Sequence, residues 1–149
     1  MSKAQQFCTF FLDGHFFGVE VEKVREVRHY QEMTRVPLAP PVVKGLINLR
    51  GQIISAIDLR RRLELRERAS DQQPQNVVVQ TEDGVVSLLV DDIGDVLEVG
   101  EETFEGPPET LKGVARELVR GVHKLNGSLL LILDTEKAAN VVATSRQAG

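Results

Sequence analysis

A chain of 149 residues with 42% hydrophobic and 27% charged side chains can bury one core, or those of two intimately packed subdomains, and is not a disordered polymer. The 18 Lys and Arg against 22 Asp and Glu leave a net charge of -4. The molecule as a whole therefore offers nucleic acid or an anionic membrane no electrostatic attraction.

In chain order, the first apolar stretch, FCTFFL, is cut off by Asp13. It falls short of a signal-peptide core of roughly 7–15 residues and of a membrane span of roughly 20. A soluble cytoplasmic protein with no direct membrane insertion is expected, and the single cysteine, Cys8, suits a reducing compartment. Short runs of Val, Ile, Leu and Phe then alternate with Gly-containing pairs: Asp13-Gly14, Arg50-Gly51, Asp83-Gly84 and Asn126-Gly127. Such pairs support the positive φ of tight hairpin turns, so four hairpins and roughly ten strands are predicted. Only Arg50 is foreign to this turn chemistry, which favours Asn or Asp. Asp58 is placed to cap a helix over LRRRLELRER, with Leu59 and Leu63 on one face and an Arg60–Glu64 pair. Asp134 is placed to cap a C-terminal helix of about 135–144. VPLAPP (36–41) must be extended or turned, and ASDQQPQN (69–76) reads as a linker.

GLINLRGQIISAIDL (45–59) lies over GVHKLNGSLLLILDT (121–135) without a gap, matching Gly45 with Gly121, Leu49 with Leu125, Gly51 with Gly127 and Asp58 with Asp134. DGHFFGVEVEKVREV also resembles DGVVSLLVDDIGDVLEV, with Glu26 opposite Asp95 and Val27 opposite Val96. Each half thus reads hairpin, short element, hairpin, capped helix. The preferred architecture is all-β: two packed five-stranded barrels, since closure removes exposed sheet edges. The split is placed at the linker, with subdomain 1 at about 14–68 and subdomain 2 at about 76–135, possibly joined by an N-terminal strand at 5–12.

Little in the sequence reads as chemistry. His15, His29 and His123 are far apart, and none stands at metal-ligand spacing from another ligand. Cys8 has no basic neighbour and reads as a small core residue. Asp91-Asp92 reads as a polar strand end, its adjacent side chains pointing to opposite faces. Arg60-Arg61-Arg62, followed by Glu64 and Glu67, reads as a solvated mixed-charge face. Phosphate-binding loops and nucleophile elbows are absent, and one Tyr with no Trp leaves no stacking platform for single strands. No catalytic residue, metal or cofactor is expected.

At VKGLINLRGQIISAIDLRRRL the chain resembles the CheW-type coupling proteins of bacterial chemotaxis, carried by Gly45, Asn48, Leu49, Arg50, Gly51, Asp58, Leu59 and Arg60. Val24, Glu26 and Val27 upstream, and Asp91, Ile93, Asp95 and Val96 downstream, extend the resemblance over about residues 6–140. Departures are Ser55-Ala56 in the strand after the turn and Ser128 after Asn126-Gly127. The resemblance implies two SH3-like barrels in a single CheW-like domain spanning residues 1–149, and an adaptor rather than an enzyme. Its partners would be the cytoplasmic tip of a chemoreceptor and the regulatory domain of a histidine kinase, in membrane-associated arrays. It also implies that Val24, Glu26 and Arg50 serve receptor coupling and that Gly45 and Val96 are sensitive positions. Val24, Ile93 and Val96 would line a groove for a receptor helix hairpin, with Arg50 and Glu26 paired at its rim. Alternatives are a related scaffold controlling pili or second-messenger synthesis, a small ligand-binding or enzymatic β-barrel, and an RNA-binding SH3-like barrel, against which the acidic balance speaks.

Overall fold

The computed structural model describes residues 4–141. Eleven strands run in the order β1 Ala4–Leu12, β2 His15–Glu20, β3 Val24–Arg28, β4 Val43–Leu49, β5 Gln52–Asp58, β6 Gln75–Thr81, β7 Gly84–Val90, β8 Asp92–Gly100, β9 Phe104–Glu105, β10 Val119–Leu125 and β11 Ser128–Leu133. The α-helices are short: α1 Leu59–Arg62, α2 Gly113–Leu118 and α3 Thr135–Ala139. All four predicted hairpins are present, as β1–β2, β4–β5, β6–β7 and β10–β11. The portion of the predicted C-terminal helix at 142–144 lies outside the described residues.

Two sheets form, one of five strands in the order β3-β6-β7-β5-β4 and one of six in the order β8-β1-β2-β11-β10-β9. The sixth strand, β9, comes from the segment FEGPPETLKG, which pairs Phe104 and Glu105 with His123 and Val122. Its counterpart in the first sheet is a single bridge, Thr34 to Leu46.

Sheet membership corrects the boundary expected at the linker. Hairpin β6–β7 lies beyond the linker yet pairs with β3 and β5, while hairpin β1–β2 pairs with β8 and β11. The two repeats have exchanged their leading hairpins, so the chain crosses between sheets after β2 and again after β7. A linear cut cannot separate the barrels. Within this interleaved plan the repeat holds in fine detail. The β3–β6 register slips between Val24 and Glu26, as β8–β1 does between Ile93 and Val96, and β4–β5 slips between Val43 and Gly45, as β10–β11 does between Val119 and Gly121. Bulges at matching places bend matching strands, which lets both sheets curl. Asp58 N and Asp134 N both donate to chain ahead of the hairpin, at 2.8 Å to Val42 O and Leu118 O.

The near-continuous apolar runs of β6 and β7 follow from this plan, because both of their faces are covered. Val77, Val79, Leu88 and Val90 face the core between the sheets, while Val78 and Leu89 face the interior of the five-stranded barrel with Ile47, Leu49, Ile54 and Ala56. On the other side Phe10, Leu12, Phe17 and Val19 enter the shared core, and Phe7, Leu130 and Ile132 fill the second barrel. The inter-sheet core, the largest of the three clusters, welds the barrels together by apolar burial.

Candidate functional site

Asn48-Leu49-Arg50-Gly51 makes the tight turn between β4 and β5, with Leu49 facing Gln52 in register. Both central residues take positive φ, Arg50 at 51° and Gly51 at 89°. The Asn48 side chain closes the turn, its Oδ1 accepting the Gly51 N–H at 2.9 Å. A positive φ costs a non-glycine residue about 1–2 kcal/mol, and Arg, unlike Asn or Asp, has no short polar group to offset it. The guanidinium is spent on Glu26, which hydrogen-bonds Arg50 Nη2 through one carboxylate oxygen and takes Arg28 Nε at 3.0 Å on the other. Because β3 and β4 are the two edges of the five-stranded sheet, the Glu26–Arg50 pair joins the edges at the barrel's seam. Glu26 is mostly sheltered, whereas the Arg50 side chain is 69% exposed.

The other predicted residues separate into groups. Gly45 sits at the opposite end of β4, where an added Cβ would stand 2.8 Å from Thr34 O and 3.0 Å from Met33 Cβ. The missing side chain lets residues 33–34 cross close enough for the Thr34–Leu46 bridge, whose two hydrogen bonds measure 2.9 and 2.8 Å. Gly45 acts through backbone approach, as does its mate Gly121 beside β9. Val24 and Ile93 occupy matching bulge positions and are half-buried against the inter-sheet core. Val96 projects outward, 55% exposed, like its mate Val27. The structure thus brings Glu26 and Arg50 together on one barrel, with Val24 on the same strand as Glu26. Ile93 and Val96 lie on the edge strand of the other sheet.

Sequence reading missed a buried ionic cluster. Arg60 and Asp91 side chains are 9% and 8% exposed and meet through Arg60 Nε at 2.9 and 3.1 Å and Nη2 at 2.5 Å. Arg68, 6% exposed, donates from Nε to Asp91 Oδ1 at 3.0 Å and lies 3.5 Å from Asp58. The Asp13 N–H donates to Asp91 at 2.8 Å, and Asp13 in turn takes Arg66 at 2.8 Å. Burial alone would push the Asp91 carboxyl up, but the bonds from Arg60, the Asp13 backbone and Arg68 outweigh it and hold it below the ordinary carboxylate value. Asp91 is therefore the hub of this cluster and not a polar strand end; its neighbour Asp92 is exposed. The Arg60–Arg62 run is likewise no uniform solvated face. Arg60 is buried, Arg62 donates to the α3 carbonyls of Lys137 and Ala138 at 2.9 and 3.2 Å, and only Arg61 stays outside, paired with Glu67. The expected Arg60–Glu64 pair does not form, because α1 ends at Arg62 and Glu64 turns to φ 59°. The cluster sits where the β1–β2 turn, the β7–β8 crossover and α1 converge, a juxtaposition that only the interleaved topology creates.

His123 is buried between Phe7 and Phe104, with ring centroids at 5.6 and 5.2 Å, and its Nδ1 lies 2.7 Å from Thr103 Oγ1. Burial pushes its pKa below the ordinary imidazole value. Cys8 is buried and its thiol is pushed up by burial. Among the described residues no group of three or more His, Cys, Asp or Glu is placed to hold a metal ion. No helix among them is long and apolar enough to cross a membrane.

Comparison with known proteins agrees with this geometry. The chain is 32% identical over 136 residues to the chemotaxis protein CheW of Treponema pallidum, an alignment covering 89% of this chain and 80% of that protein. It is 33% identical to the chemotaxis protein CheW of Klebsiella aerogenes, again over 89% and 80% of the two chains. The crystal structure of the scaffolding protein TtCheW from Thermoanaerobacter tengcongensis superposes with a TM-score of 0.83 at 25% identity, covering 93% of this chain and 94% of that one. The model of the CheW-like domain matches residues 6–143, and with the paired barrels, the Asn-Leu-Arg-Gly turn and these relatives in agreement, the chain belongs to the CheW-like domain family.

Proposed function

We propose that the chain is a non-catalytic adaptor that couples chemoreceptors to a chemotaxis histidine kinase in a cytoplasmic, membrane-associated array. In this reading Glu26 and Arg50 form the polar contact for the receptor's cytoplasmic tip. The observation that carries it is the seam pair: an arginine kept at positive φ, its guanidinium oriented by Glu26 yet still largely exposed. An exposed ion pair contributes only about 0–1 kcal/mol, too little to repay the turn strain through stability alone. Its worth lies in presenting a charge in fixed orientation. Val24 and Ile93 seat the strands against the shared core, Gly45 sets the hairpin's path, and Val96 and Val27 add exposed apolar contact. A second surface of different character supports a second partner. Phe11 and Leu129, 41% and 46% exposed, flank a hollow of about 500 Å³ on the six-stranded sheet, a surface fitted to the kinase's regulatory domain.

The test is co-sedimentation of the purified chain with receptor cytoplasmic fragments and the kinase, with kinase activity as readout. Arg50→Glu should lose receptor binding and kinase control while its Tm stays within about 3 °C of the parent, since exposed pairs contribute little. Parent chain that joins neither partner would move the assignment to a scaffold of a non-flagellar system. Loss of folding in Arg50→Glu equal to its loss of binding would sink the role given to Arg50.

A further inference from the structure

The segment between β3 and β4, residues 29–42, carries Pro37, Pro40 and Pro41 and arches over the start of β4. Beneath it runs a cleft of about 660 Å³, continuous through Tyr30, Met33, Lys44 and Arg61 with a second hollow of about 340 Å³ reaching Arg68. Two features of its lining stand out. The first is cationic: Arg35 and Lys44 are exposed and enter no ion pair among the described residues, while Arg61 and the buried Arg68 complete the basic lining. The carboxylates present are already engaged, Asp58 by the α1 N-terminus and Arg68, and Glu67 by Arg61. One guanidinium nitrogen of Arg68, Nη2, is buried without a hydrogen-bond partner. A cleft with two uncompensated positive charges is unexpected in a chain of net charge -4.

The second feature is apolar. Leu38 is fully exposed, at 104%, and is held at φ 66°, in the region that disfavours a branched side chain. Val36 and Tyr30, 38% and 37% exposed, lie on the same rim. A small anion would satisfy the cations and leave Leu38 in water. An uncharged apolar partner would cover Leu38 and leave Arg35 and Lys44 unpaired. From this combination we infer that the cleft is a docking site for an acidic segment of a protein partner, its carboxylates meeting Arg35 and Lys44 and its apolar side chains covering Leu38 and Val36. Three prolines stiffen the arch before binding and so reduce the ordering cost. The site is distinct from the Glu26–Arg50 corner: β4 runs from Val43 to Leu49 between them, a span of about 20 Å at the usual strand rise, so both surfaces are available at once.

The test is a titration of the ¹⁵N-labelled full chain with a synthetic peptide of alternating Glu and Leu pairs, with its Gln-for-Glu counterpart and inorganic pyrophosphate as comparison probes. The Glu peptide should shift resonances within 30–44 and 61–74, and its affinity should fall about tenfold or more between about 20 and 200 mM salt as screening grows. The Gln peptide and pyrophosphate should leave those resonances in place. Arg35→Glu with Lys44→Glu, and separately Leu38→Ser, should each weaken the Glu peptide by about tenfold or more with Tm unchanged. Lys124→Glu, on the other barrel, should leave the affinity unchanged. The inference is overturned by equal binding of the Gln peptide, by shifts elsewhere on the chain, or by pyrophosphate reproducing the shifts without the peptide. It is equally overturned if dilution of the labelled chain alone moves the same resonances, which would make the cleft a contact between copies.

Discussion

Asp91→Asn removes one carboxylate from a site where two guanidinium groups converge. In the parent, Arg60 and Arg68 are 9% and 6% exposed and both bond Asp91 directly. Their remaining carboxylate neighbours stand farther off, Asp13 at 3.8 Å from Arg60 and Asp58 at 3.5 Å from Arg68. Breaking a buried pair in this way leaves charge uncompensated and costs about 3–5 kcal/mol. Against a total stability of about 5–15 kcal/mol for a domain, the loss is a large share, equivalent to a fall in Tm of roughly 6–20 °C. Urea unfolding at pH 7, followed by far-UV circular dichroism, measures it directly. The pH dependence supplies an independent check. Since the folded Asp91 carboxyl is held below its ordinary value, its contribution is complete above the unfolded carboxylate pKa of 3.8 and is lost as pH falls through the folded pKa. The curves of parent and variant should therefore converge in acid. A companion pair, Arg60→Met with Asp91→Leu, leaves no Arg60 charge to compensate and should recover part of the loss. A cost below about 1 kcal/mol for Asp91→Asn, or a difference that persists unchanged into acid, would refute the assignment of Asp91 as the hub.

Three further outcomes follow from the same geometry. Arg50→Asn relieves a positive φ that costs about 1 kcal/mol or more and removes an exposed pair that contributes about 0–1, so thermal unfolding should show unchanged or higher stability while receptor co-sedimentation falls; destabilisation beyond about 1 kcal/mol would be inconsistent with strain at this turn. Gly45→Ala must displace Thr34 O, which stands 2.8 Å from the new Cβ, and should cost about 1–3 kcal/mol in denaturant unfolding, with faster amide exchange at Leu46. His123, whose folded pKa is lowered by burial, takes up its proton at lower pH than it does in the unfolded chain. Stability should therefore fall as pH drops through the unfolded imidazole value of about 6.5, and His123→Phe should flatten that part of the profile.

Which parts of this were legible in the linear chain follows from the range of the forces involved. Turn pairs such as Asp13-Gly14 and Asn126-Gly127 and the caps Asp58 and Asp134 are local, and each stands where it was expected. Asp58 accepts the Arg60 N–H at 3.1 Å and Asp134 the Lys137 N–H at 3.0 Å. The internal repeat was legible too, because matched bulges require matched residues, Gly45 with Gly121 above all. The Glu26–Arg50 pair lies between those cases: an arginine at a turn that favours Asn marked one partner, and the resemblance marked the other. Arg60 and Asp91 were misread because nothing within a few residues of either distinguishes a buried charge from a solvated one.

The sequence by itself determined the elements, their bends and their twofold repetition, since those depend on contacts within a hairpin or a helical turn. Only the tertiary structure decided which hairpin joins which sheet. Residues 4–20 complete the sheet built around β8, β10 and β11, and residues 75–90 complete the one built around β3, β4 and β5. The two leading hairpins are nearly interchangeable in pattern, so local preference cannot choose between them. Packing of both hairpins into one shared core, with the Arg60–Asp91 cluster at the crossover, makes the exchange definite.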